Sequence, residues 1–161
     1  MEQEQAQTAA QPAAGETRHM DVRYHGGESY EVTVRGHRIL VDQPTDSGGE
    51  DLAPTPVELF VASLATCVAL YAGQYLIRHR YRRAGLGVSV EYEMASDKPE
   101  RVSAIRLALR VPTDLPPTRR SALLAVASSC TVHDSLIKPP GITIDVVDEP
   151  IDADGGGDAG T

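Results

Sequence analysis

From Leu59 to Ile77 the chain runs nineteen residues without a charged side chain, and Cys67, one of only two cysteines, sits near the middle. Pro54 and Pro56 lie just ahead of the run and Gly85 just behind it, which is how a helix is punctuated at its start and its end. Arg78, His79, Arg80, Arg82 and Arg83 crowd the last turns, where positive charge offsets the negative end of the helix dipole. Phe60, Leu64, Cys67, Val68, Tyr71 and Tyr75 recur at helical spacing on one face, while Leu59, Val61, Leu70, Leu76 and Ile77 fill much of the rest. A helix that is apolar nearly all round is buried nearly all round, so the remaining sequence has to supply its cover. The run also approaches the roughly 20 residues that a bilayer requires. It is diluted by Ser63, Thr66, Gly73, Gln74 and several alanines, and its neighbours read as amphipathic elements that need a shared core, so a membrane span is not expected.

Those neighbours have a period of two. Met20, Val22 and Tyr24 alternate with Asp21 and Arg23; His25 to Glu28 is a turn; Tyr30, Val32 and Val34 alternate with Glu31, Thr33 and Arg35; and Arg38 to Val41 is a third short strand. This reads as an antiparallel meander with one buried face. Pro44 to Pro56 is a loop, with Asp42 and Gly48-Gly49 as loop-shaping residues. Beyond Gly87, Val88, Val90, Tyr92 and Met94 face one way, and Ile105, Leu107, Leu109 and Val111 answer them across a turn at Asp97 to Glu100. Pro116 and Pro117 open a second helix with Leu123, Val126, Ala127 and Cys130 along one stripe, and Ile142, Ile144 and Val146 alternate as a last strand. The order is βββ-α-ββ-α-β, an α+β fold with an antiparallel sheet packed on two helices.

The net charge of −8 is concentrated at the ends: five acids and no base from Asp148 onward, and Glu2, Glu4 and Glu16 against Arg18 in the first nineteen residues. The body between is close to neutral, so nucleic acid is not an expected partner. By composition residues 1–19 and 149–161 read as disordered tails around one domain, 20–148. The Gln/Ala-rich start has no apolar leader, and the cytoplasm is the expected location. In a reducing compartment two cysteines stand as thiols or as a reversible redox pair rather than as a structural staple.

Three readings of Cys67 and Cys130 are open on pattern alone. They are small core hydrophobes, since free cysteine is among the most buried residue types; or they are a redox pair, one thiolate attacking an oxidant and the other resolving the product; or Cys130 and His133, at C-x₂-H spacing, belong to a zinc site. The last is poorly supported, because the chain has no CxxC and no HExxH. No G-x-S-x-G surrounds any serine, so a serine hydrolase is not indicated.

The stretch GGEDLAPTPVELFVASLATC, ending at Cys67, followed by SSCTVHDSLIKPPGITIDV around Cys130, resembles the OsmC/Ohr-like family of osmotically inducible and organic hydroperoxide resistance proteins. The similarity extends from about residue 20 to 147. It implies an intertwined homodimer in which the two long central helices pack together beneath the sheets, with two active sites at the subunit interface. It implies thiol-dependent reduction of organic hydroperoxides, with Cys67 as the peroxidatic residue, Cys130 as the resolving one, an external thiol or dithiol as reductant, and neither cofactor nor metal. An apolar pocket built from Phe60, Leu64 and Tyr71, or from their partner-subunit copies, would favour alkyl hydroperoxides.

The resemblance also implies an arginine oriented by a glutamate to hold Cys67 as its anion. Arg23 is the nearest match, with Arg38 as competitor, and Glu58 is the candidate carboxylate. Here the pattern departs: the family's P-E-x-L becomes Pro56-Val57-Glu58-Leu59. Glu58, nine residues before Cys67, falls on the opposite helix face at about 100° per residue. Thr131 likewise replaces the proline of the family's C-P-V-H, leaving His133 one turn past Cys130. The alternative that these departures support is a non-enzymatic member of the same fold, serving as a thiol redox sensor or a binder of small hydrophobic ligands.

Overall fold

The side chain of Thr55 starts the long helix. Its Oγ1 accepts the N–H of Glu58 at 3.2 Å, and the Glu58 carboxylate accepts the N–H of Thr55 at 2.8 Å, a reciprocal capping box. Pro56 at the first helical position lacks an N–H that would have had no partner there. Helix α1 then runs Pro56–Arg78. In the computed structural model, which describes residues 15–112 and 114–148, it follows three strands, β1 (Asp21–Gly26), β2 (Ser29–Val34) and β3 (His37–Val41), and a short 3-10 turn at Thr45–Ser47. It precedes β4 (Gly87–Met94), β5 (Val102–Arg110), α2 (Pro117–Ala127) and α3 (Thr131–Ile137). Of the expected tails, residues 1–14 and 149–161 lie outside the described residues.

The core is one side of α1. Leu64, Val68, Ala72, Tyr75 and Leu76 form a buried stripe, joined by Leu115, Leu123, Ala127 and Cys130. Val88, Ile105, Leu107 and Leu109 press on it from the β4–β5 hairpin, whose register places Val88 opposite Leu109 and Val90 opposite Leu107. Each fully buried leucine contributes about 1.5–3 kcal/mol relative to exposure. By length and apolarity α1 would also suffice to cross a membrane; here its stripe serves as the core of an α+β fold.

The loop before α1 is tied by a buried carboxylate. Asp42 Oδ2 accepts the N–H groups of Glu50 and Leu52 at 3.2 and 3.0 Å, and Gln43 O accepts that of Asp51 at 3.1 Å. The Leu52 N–H, more than the other donors, holds the Asp42 carboxyl below the usual carboxylate range. Gly49 lies so close to Gln43 that a Cβ there would stand 2.0 Å from its carbonyl oxygen.

Four expectations need correction. First, α1 is not covered all round: Phe60, Leu70 and Ile77 are exposed, because the hairpin and two short helices occupy only one side. Second, the strands form two separate antiparallel sheets, β1-β2-β3 and β4-β5, and only the second packs on α1. On the apolar face of the first, Val22, Tyr24, Tyr30 and Ile39 are exposed, Val32 is half-buried and Val41 is buried. Third, the second helix stops at Ala127 and a third begins at Thr131. Ser129 Oγ donates to the Ala125 carbonyl, and such side-chain bonding competes with continuation of the helix. Fourth, the last strand is not formed among the described residues. Ile142, Ile144 and Val146 are 81%, 89% and 97% exposed, since an alternating segment becomes a strand only beside an edge it can bond.

Candidate functional site

Cys67 lies in the middle of α1, half-buried, on the flank of the core cluster. Cys130 is fully buried and takes extended dihedrals, φ −79° and ψ 152°, as the residue that caps α3. It therefore sits at a helix start and not, as expected, on the stripe of α2. Because α3 packs on α1, two thiols sixty-three residues apart in the chain become neighbours: Cys67 packs against the buried cluster that contains Cys130. Both are free.

Burial is the main influence on the Cys130 thiol and pushes its pKa up. The N–H of His133 opposes this, the neighbouring Cys67 adds to the rise, and the N–H of Val132 opposes it more weakly. Cys130 is thus the sulfur that keeps its proton and is shielded from solvent, whereas Cys67 is the one an incoming molecule meets first. Such an arrangement suits sequential thiol chemistry, in which an accessible sulfur reacts and a buried neighbour follows.

Two further contacts frame the sulfurs. Tyr71, one turn beyond Cys67, places its hydroxyl 2.9 Å from Thr131 Oγ1, immediately after Cys130. His133 Nδ1 bonds the Ser128 carbonyl, which makes Nδ1 the protonated ring nitrogen. The ring thus steadies the bend between α2 and α3, while its backbone N–H serves the thiol. Of the expected pocket residues, Tyr71 borders the thiols, Leu64 belongs to the core and Phe60 faces outward. A cleft of about 410 Å³ opens at the start of α1 between Pro44, Pro56, Val57 and Tyr92, and neither cysteine lines it.

The charged candidates stand apart from this pair within the protomer. Arg23 is in β1, opposite Glu31, on the sheet that does not pack on α1. Arg38 Nε donates to Glu31 Oε2 at 2.7 Å, a pairing that raises the arginine pKa and lowers that of the carboxyl. Glu58 closes the capping box. Among the described residues no guanidinium acts on Cys130. Sequence reasoning took Tyr71 only as pocket lining and did not pair Thr131 with it; the one available signal was that each lies a short step past a cysteine.

The sequence profile of the family described as OsmC-like protein matches residues 48–145. A Psychrobacter arcticus 273-4 protein named for osmotic stress induction and detoxification response superposes with TM-score 0.67 at 27% identity, over 75% of this chain and 88% of that one. The organic hydroperoxide resistance protein OsmC of Legionella pneumophila gives 0.56 at 21%, over 77% and 91%. An OsmC-like protein of unknown function from Vibrio cholerae gives 0.59 at 12%, over 74% and 93%, which speaks to the fold alone. No curated protein sequence matches the chain.

Proposed function

Since the chain belongs to the OsmC-like protein family, we propose that it is a thiol-dependent peroxidase that reduces organic hydroperoxides through Cys67 and Cys130. The observation that carries the reading is the packing of a half-buried thiol, Cys67, against the cluster that holds the buried Cys130, where α3 meets α1. Structural cysteines need no partner thiol, whereas a two-step redox cycle does.

In the proposed cycle the Cys67 thiolate attacks the terminal oxygen of the hydroperoxide. The O–O bond breaks, Cys67 becomes a sulfenic acid, and the departing alkoxide takes a proton to leave as the alcohol. Cys130 sulfur then attacks the Cys67 sulfur; the S–O bond breaks and water leaves, closing the disulfide. An external dithiol reopens it by exchange and is itself oxidised. The free thiols suit a reducing compartment such as the cytoplasm.

The functional unit in this reading is a homodimer, as is typical of the family. The exposed part of the apolar face of β1–β3, the outward residues Phe60, Leu70 and Ile77 of α1, and the unpaired segment Ile142 to Val146 are the surfaces it would bury. A second subunit would also supply the cation that holds Cys67 as thiolate. Arg23, which carries no ion pair among the described residues, is the arginine proposed for it, since Arg38 is already paired with Glu31. Glu58, occupied by its cap, has no role at Cys67 of its own subunit.

The test is consumption of cumene or tert-butyl hydroperoxide with a dithiol reductant. The wild type should turn over, Cys67→Ser should fall to background, and Arg23→Ala should be slowed. Background rates in the wild type as well would remove the enzyme reading. A disulfide that forms once with peroxide but is not recycled would favour a thiol sensor, the reading that Val57 in place of the family's glutamate supports.

A further inference from the structure

We infer that Tyr71 and Thr131 form a hydroxyl latch that holds Cys130 beside Cys67, which makes both positioning residues for disulfide closure. The inference rests on the two-cysteine reading above and adds to it residues that belong to neither thiol.

Helix α3 is seven residues long, and its main packing partner is α1. Helices shorter than about 12–15 residues are marginal on their own, so the placement of α3 depends on what ties it down. Among the described residues the Tyr71–Thr131 bond, at 2.9 Å, is the one side-chain hydrogen bond between α3 and α1. Its two ends are placed with respect to the chemistry. Tyr71 stands four residues after Cys67, on the same side of α1, and Thr131 is bonded directly to Cys130. The bond therefore closes a short loop of rigid parts that contains both sulfurs.

Neither end has another evident duty. Tyr71 is half-buried and Thr131 exposed, so neither hydroxyl is needed to satisfy a buried group. Tyr71→Phe would keep the ring in place, and Thr131→Val the shape. What the bond adds is orientation. With α3 fixed, the Cys130 sulfur stays near Cys67 in the dithiol state, and the entropy of bringing the sulfurs together is already spent before closure. Without it, α3 samples more positions and the effective concentration of one thiol at the other falls.

The consequence is specific to the redox equilibrium. A hydrogen bond that merely supports the fold stabilises the dithiol and the disulfide forms alike and leaves their ratio unchanged. A latch matched to the juxtaposed sulfurs is worth more in the disulfide form, where the covalent bond holds its two hydroxyls together, so latch and disulfide stabilise each other. Its removal shifts the equilibrium toward the dithiol. A neutral hydrogen bond contributes about 0.5–1.5 kcal/mol, which corresponds to about 2- to 12-fold in that ratio.

The experiment equilibrates the full chain in glutathione buffers, where each protein disulfide formed consumes one oxidised glutathione and releases two reduced ones. The oxidised fraction is read by thiol alkylation and mass spectrometry. Tyr71→Phe and Thr131→Val should each favour the dithiol by about 2- to 12-fold, and the double variant by no more than either alone. Thr131→Ser, which restores a hydroxyl, should return the ratio to that of the wild type. Ratios unchanged in both single variants, or effects that add in the double variant, overturn the latch while leaving the two-cysteine reading intact. A wild type that forms no Cys67–Cys130 disulfide in any buffer removes both.

Discussion

Adding one methyl group at Gly49 tests whether the loop before α1 is a fixed clasp. An alanine Cβ there would lie 2.0 Å from Gln43 O, 2.6 Å from its carbonyl carbon and 2.9 Å from Asp42 Oδ1, where ordinary contact begins at 3.4 Å. Two of the three are backbone atoms, so no side chain can swing aside. Overpacking of this kind costs about 1–3 kcal/mol. Moving Gln43 O also loosens its bond from the Asp51 N–H, at 3.1 Å, worth about 1 kcal/mol. The expected loss for Gly49→Ala is therefore about 2–4 kcal/mol, or about 4–16 °C in Tm for a domain of this size. Gly36→Ala is the matched control: φ is +80° there, but nothing lies within 4 Å, so only backbone strain remains, at about 1–2 kcal/mol. Thermal melts followed by circular dichroism should place Gly49→Ala clearly below Gly36→Ala. Equal melting temperatures, or a Gly49→Ala protein as stable as the wild type, would refute the clasp.

Asp42→Asn should be less stable than the wild type at neutral pH. Because the folded carboxyl titrates below its unfolded value, its contribution is complete above about pH 4 and is lost as pH falls further, so the two melting curves should converge on acidification. A gap that stays constant down to pH 3 contradicts this. Leu123→Ala, at a fully buried position, should cost about 2–5 kcal/mol in urea unfolding, while Leu124→Ala, 59% exposed, should stay within about 0.5 kcal/mol. Closure of the disulfide from a Cys67 sulfenic acid should still accelerate above the ordinary thiol pKa of about 8.5, since burial raises that of Cys130. Rapid-quench alkylation showing a plateau below that range would contradict it.

The elements that were legible in the sequence are those whose periodicity and punctuation agree. The uncharged run behind Pro56 is α1, and the alternation of Val88 to Met94 against Ile105 to Leu109 is the β4–β5 hairpin. Both are local signals. The break at Ser128-Ser129 was not legible, because Cys130 continues the spacing of Leu123, Val126 and Ala127 whether or not the helix does. Ile142, Ile144 and Val146 show that a strand wants an edge, not where that edge is. The acid at Glu58 reads as a candidate catalytic carboxylate or as a first-turn acid favoured by the helix dipole, and within the protomer it closes a capping box with Thr55. The approach of Cys67 to Cys130 is a tertiary contact where α3 meets α1, one of three readings open on pattern and the one the family resemblance implies, and the bond from Tyr71 to Thr131 was not expected at all.

The most direct measurement of the central claim is the intact mass and thiol count of the protein after one equivalent of cumene hydroperoxide, without reductant. The account predicts a loss of two hydrogens, no alkylatable thiol, and a peptide pair joined through Cys67 and Cys130; Cys130→Ser should instead stop at a sulfenic acid on Cys67 that a dimedone probe captures. Two thiols still open to alkylation after denaturation, with the mass unchanged, would contradict it.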